Sequence, residues 1–114
     1  MMPKNNYVEL VLTCGSYQQA QDIADALLQK HLVACVEFFP IKSKFWWQKG
    51  IETADEIKLV MQSRDEYFAE AERIVKKLHG YDTFVMHALP LTHTSEAAKK
   101  WLKDTLDFRG LKNG

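Results

Sequence analysis

Apolar and polar positions alternate from Tyr7 to Cys14, with Val8, Leu10, Leu12 and Cys14 on one side and Tyr7, Glu9, Val11 and Thr13 on the other. A period of two over eight residues predicts a strand with one wholly apolar face. The pattern then changes. Ala20, Ile23, Ala24, Leu27 and Leu28 recur at helical spacing behind Ser16, with Gln19 three residues on, which predicts a helix opened by a capping box and running to about His31. A second strand is predicted from about Ala34 to Trp47, interrupted at Pro40, where proline's missing N–H implies a bulge or an edge position. Gln48, Lys49 and Gly50 read as the turn, the following Glu-Thr-Ala-Asp-Glu as its solvated polar continuation, and Glu56 to Ser63 as a third strand.

Ser63 and Glu66 form a second capping-box pattern ahead of the stripe Tyr67, Phe68, Ala71, Ile74, Val75 and Leu78, and Gly80 reads as a left-handed cap closing that helix. A fourth strand is expected at about 84–91. A third helix should be capped by Ser95, with Ala98, Trp101, Leu102 and Leu106 facing inward. The last seven residues, Phe108 to Gly114, carry no assignable pattern. The order strand, helix, strand, strand, helix, strand is the split βαβ arrangement, so the expected fold is an α+β, ferredoxin-like βαββαβ sandwich with an extra C-terminal helix. Both long helices then cover one face of the sheet. The other face carries Glu9, Glu37, Lys58 and Gln62 among apolar neighbours, too wet for a core and too apolar for open water. With Phe38, Phe39, Phe45, Trp46 and Trp47 crowded into one limb, this points to a contact between subunits, and a homotrimer covers both surfaces and removes exposed edges.

Composition narrows the function. A chain of 114 residues that is 46% hydrophobic suits one domain over 1–114, burying roughly two thirds of its unfolded surface. Fifteen basic residues against fifteen acidic ones provide no general pull toward nucleic acid or anionic membrane, and neither is an expected partner. An RNA-reading sheet of this topology would need basic and aromatic residues on the third strand, where Glu56 to Ser63 offers one lysine and no aromatic. Two cysteines, Cys14 and Cys35, encode neither a disulfide framework nor a closed zinc site. The N-terminus lacks the apolar core of a signal peptide and no run reaches membrane-spanning length, so a cytoplasmic location is expected. No nucleophile elbow, phosphate-binding loop or dinucleotide fingerprint is present, and the chain is not expected to be an enzyme.

Three segments carry a resemblance: His31 to Pro40 followed by Ser43 to Glu52, the run His79-Gly80-Tyr81-Asp82-Thr83, and Ala88 to Leu102. In order and spacing they resemble the CutA family of divalent-cation tolerance proteins, over nearly the whole chain. The resemblance implies a compact trimer related in fold to the PII signalling proteins, with Phe45, Trp46 and Trp47 at the trimer interface. It also implies Cu(II) or another soft or borderline divalent metal as ligand, with Cys14, Cys35 and His79 as donors, and no metal needed for folding. Thiolate and imidazole suit such ions better than oxygen donors do. The chain departs from the family pattern at Lys49-Gly50, which are swapped, at Gln62, at Ala98 and at Val85, which stands where the family has an acidic residue. Losing that carboxylate implies weaker metal binding.

For Cys14 and Cys35 a purely structural role, as small core or interface residues, stands beside ligation, since free cysteine is among the most buried residue types. Strand parity puts them on opposite faces, so they are not expected to share one ion within a subunit. His79, in the last turn before Gly80, and His31 are each placed to meet the negative end of a helix dipole. His87 and His93 have no partner at ligand spacing. The alternative to a metal-tolerance protein is a PII-like trimeric scaffold or sensor that takes a small molecule or a protein partner in its inter-subunit clefts.

Overall fold

Tyr7–Cys14 forms the first strand, β1, of the computed structural model, which describes residues 6–108. It is followed by α1 (Tyr17–Gln29), β2 (Cys35–Trp47), β3 (Gly50–Arg64), α2 (Phe68–Leu78), β4 (Met86–Pro90) and α3 (Glu96–Leu106). The strands pair antiparallel in the order β2-β3-β1-β4. This is the α+β, ferredoxin-like order read from the pattern, with α3 added. Residues 109–114, most of the unassigned tail, and residues 1–5 at the N-terminus lie outside the described residues.

Register explains the core. Leu10 pairs with Met61, Leu12 with Leu59 and Cys14 with Ile57, so the apolar sides of the two central strands form one surface. Ala20, Ile23 and Leu27 of α1 and Ala71 and Val75 of α2 complete this buried cluster. The opposite face carries the rows Glu9, Gln62, Cys35 and Val11, Val60, Glu37. At the start of β1, Tyr7 is buried in a second, smaller cluster with Leu102 and Leu106 of α3.

Several local expectations are corrected. Glu52 to Glu56 is not a turn but part of β3, which begins at Gly50; the pairing of Lys42 with Asp55 and of Phe45 with Glu52 continues without a break. Cross-strand pairing to a long aromatic partner outweighed the low strand propensity of this polar run. At Pro40 the edge alternative holds rather than the bulge: it pairs in register with Ile57, because β2 is an edge strand whose outer side needs no donor. The turn is Gln48-Lys49 alone, and Gln48 takes a φ of 56° at its first central position, where glycine is favoured.

Ser63 is not a helix cap. It lies inside β3, next to its last residue, fully buried, and its hydroxyl donates to the Leu32 carbonyl at 2.7 Å, so α2 starts only at Phe68 after a 3₁₀ turn over Asp65–Tyr67, with no side-chain cap bond. Gly80 is not left-handed. α2 ends at His79 in an extended conformation, and no described glycine has positive φ.

Where the first helix ends, His31 supplies the left-handed residue instead, with φ 55° and the paired bonds from the His31 N–H to the Leu28 carbonyl and from the Leu32 N–H to the Leu27 carbonyl. This is a Schellman closure with histidine where glycine is usual. Its ring is held by a bond between Nδ1 and the Thr105 carbonyl at 3.0 Å and by stacking on Phe108. β4 is shorter than 84–91, and Trp101 is 46% exposed rather than inward. By contrast the Ser16 hydroxyl does cap α1, accepting from the Gln19 N–H at 3.2 Å, while Gln19 Oε1 accepts from the Gly15 N–H.

Candidate functional site

Two surfaces stand out, one where β1 ends and one where the β2–β3 hairpin outruns the sheet. β1 stops at Cys14, opposite Ile57. Beyond that pair residues 41–56 continue as a two-stranded ribbon for about 20 Å, at roughly 3.4 Å per residue. Alternation puts Phe45 and Trp47 on one side of the ribbon and Trp46 on the other. Trp46 is 72% exposed and Trp47 50%; Phe45 and Ile51 are exposed beside them. A lone two-stranded ribbon is marginally stable in water, and this one has no other described part of the chain paired to either edge.

At the end of β1 the chain gathers a thiol, a carboxylate, an imidazole and a phenol. Cys14 is fully buried, and burial first and the Glu56 charge second push its thiol up to about 12. His79 is buried with both ring nitrogens engaged: Nε2 bonds the Thr13 carbonyl at 2.7 Å, and Nδ1 accepts from the Tyr81 N–H at 3.2 Å. Nε2 therefore carries the hydrogen of the neutral ring. The ring also stacks on Phe84. Tyr81 turns its hydroxyl toward Glu56 Oε2 at 3.3 Å and lies so close over Gly15 that a Cβ there would stand 2.8 Å from the phenol oxygen. Only glycine admits that approach. Burial, with Glu56 as the next cause, raises the Tyr81 phenol as well.

Of the three sequence-predicted donors, Cys14 and His79 are brought to the same end of β1, since His79 holds the carbonyl of the residue before Cys14. Cys35 is not. It pairs with Gln62, five positions along β3 from Ile57, which separates it from Cys14 by about 17 Å along the strand and by the thickness of the sheet. Burial first, then Glu37, raises its thiol too. Among the described residues no group of three or more His, Cys, Asp and Glu side chains is arranged to hold an ion. The described residues of one chain therefore present no ready coordination sphere. Glu56 is the residue that sequence reasoning missed: taken as the end of a solvated stretch, it is only 7% exposed, and its one signal was that it heads the alternating run into β3.

The fold and this site define a class: a small α+β sandwich that leaves a long aromatic ribbon and one sheet face uncovered and keeps its polar groups where the ribbon leaves the sheet. Within that class the chain belongs to the CutA1 divalent ion tolerance protein family, which it matches over residues 8–105. It is 39% identical over 98 residues to the divalent-cation tolerance protein CutA of Archaeoglobus fulgidus, covering 86% of this chain and 96% of that one. The solved structure of that protein, described as periplasmic, superposes with a TM-score of 0.85 at 38% identity, covering 88% of this chain and 98% of that one. CutA from Xylella fastidiosa superposes with a TM-score of 0.86 at 26% identity, covering 90% and 100%. Among the described residues no helix is long and apolar enough to cross a membrane.

Proposed function

We propose that this protein is a homotrimeric binder of soft or borderline divalent cations, Cu(II) first among them, that acts in cation tolerance in the cytoplasm and catalyses no reaction. The single observation that carries the assembly is the ribbon of residues 41–56, whose two edges and exposed Phe45, Trp46 and Trp47 acquire partners when three copies exchange hairpins. What supports the cation is membership of the tolerance family and the meeting of Cys14 and His79 at the end of β1. Tyr81 N–H to His79 Nδ1, at 3.2 Å, is the longer of the two bonds to this ring, so Nδ1 is the lone pair an ion takes at least cost. Cys35, on the open face, would contribute at a contact between subunits.

Binding is weaker than a full donor set would provide, because Val85 offers no oxygen and the Cys14 proton must be displaced. A non-catalytic role agrees with the same facts: the Cys14 thiol stays protonated, and the Ser63 hydroxyl is spent on a backbone carbonyl. Calorimetry with Cu(II), repeated on Cys14→Ala, Cys35→Ala and His79→Ala, together with light scattering, tests both halves. Copper binding lost or weakened in at least one variant, and a mass of three chains, is the expected result. Absence of copper binding, or binding untouched by all three substitutions, removes the metal reading. A monomer or dimer removes the trimer.

A further inference from the structure

An open groove of about 470 Å³ lies beside this cluster, between the β1–α1 junction at residues 15–17 and the base of the ribbon at 40–42 and 55–57. Its volume falls in the range of small-molecule sites. Pro40, Ile41, Ile57 and Tyr17 contribute apolar wall, while its charged lining is Lys42, Asp55 and Glu56. Lys42 is committed to Asp55 at 2.8 Å out in solvent, which leaves Glu56 as the uncompensated charge of the groove.

Glu56 is unusual for a carboxylate that is 7% exposed. Buried carboxylates are held by a cation or by two or three donors; here, among the described residues, the one donor is the Tyr81 hydroxyl at a long 3.3 Å. Beside it stands the Cys14 thiol, and the Glu56 charge, after burial, helps keep both that thiol and the Tyr81 phenol protonated. The groove thus has a carboxylate with one donor among the described residues, and an apolar wall alongside. A metal ion would want three or more such ligands, which are absent among the described residues. A cation that brings its own hydrogen-bond donors and apolar body would need only the Glu56 carboxylate and the apolar wall.

We propose that this groove binds a small organic ammonium ion, whose N–H groups donate to the Glu56 carboxylate while its alkyl body lies along Pro40, Ile41 and Ile57. The site adjoins the Cys14 and His79 donors but takes its ligand through Glu56 and does not require copper. Two-dimensional NMR of the whole protein in EDTA, titrated with n-butylammonium and, separately, with neutral n-butanol, tests it. The expected result is saturable movement of the Gly15, Ser16 and Ile57 amide signals with the amine and little with the alcohol. Glu56→Gln should weaken the affinity at least about tenfold, the scale of a lost charged hydrogen bond. Gly15→Ala, which keeps the charge but displaces the phenol that holds the carboxylate, should weaken it by a smaller factor. Equal shifts with n-butanol would overturn the proposal, as would unchanged affinity in Glu56→Gln. Groove amides that ignore the amine would overturn it too, assigning the groove to a neighbouring copy of the chain, and displacement of the amine by Mg(II) would reassign it to metal.

Discussion

Raising the pH from about 8 to about 10.5 should unfold this protein partly through one thiol. Cys14 is fully buried beside Glu56 and ionises only at about 12, against an ordinary value of 9.0. Above pH 9.0 the unfolded chain releases this proton and the folded chain keeps it. The unfolded state is then favoured by about 1.4 kcal/mol per pH unit, up to the folded value. Below pH 9.0 both states hold the proton and the thiol adds no slope. At about pH 10.5 the loss from Cys14 alone amounts to roughly 2 kcal/mol. Urea unfolding of the parent and of Cys14→Ala, in EDTA, at equal protein concentration and at both pH values, isolates it. The substitution removes packing at either pH, but it also removes the pH-dependent part, while lysines and the tyrosines other than Tyr81, whose phenol feels the Cys14 charge last among its causes, titrate alike in both proteins. The parent should lose about 2 kcal/mol more than the variant on going to the higher pH. Equal losses would refute the reasoning and place the thiol in contact with water.

Ser63→Ala leaves the buried Leu32 carbonyl without its donor and should cost about 1–3 kcal/mol in the same unfolding assay; a neutral result would show that water replaces the hydroxyl. At the left-handed end of α1, His31→Gly should cost less than His31→Ala by about 1 kcal/mol, because both lose the bond to Thr105 but only alanine strains a φ of 55°. The reverse order would contradict the Schellman reading. Trp46→Ala and Trp47→Ala, measured by light scattering across a dilution series, should include at least one variant whose assembly is weakened by about 2 kcal/mol or more. Two variants that both assemble like the parent would move the subunit contact away from the ribbon.

The sequence alone determined the parts in which local pattern and burial agree. β1, with every second residue buried from Val8 to Cys14, α1 with its Ser16 cap, and the order of elements were legible because period and capping chemistry are local properties of the chain. The family resemblance was legible too, since order and spacing of motifs survive without coordinates, and membership in the CutA1 family is shown.

Only the tertiary structure decided the rest, because each remaining feature depends on a partner distant in sequence. Glu52 to Glu56 looks like a turn by composition and is strand because β2 lies beside it. Ser63 and Glu66 look like a capping box, yet the Ser63 hydroxyl is taken by Leu32, 31 residues away. Gly80 looks like a left-handed cap, whereas the conformation falls to His31, which pays for it with contacts to Thr105 and Phe108 at the other end of the chain. Glu56 carries only a weak mark in the sequence, its place at the head of the alternating run into β3. Its one donor among the described residues, Tyr81, is brought to it by the close approach of Tyr81 to Gly15 across 66 residues of sequence, and no periodicity can encode a contact of that range.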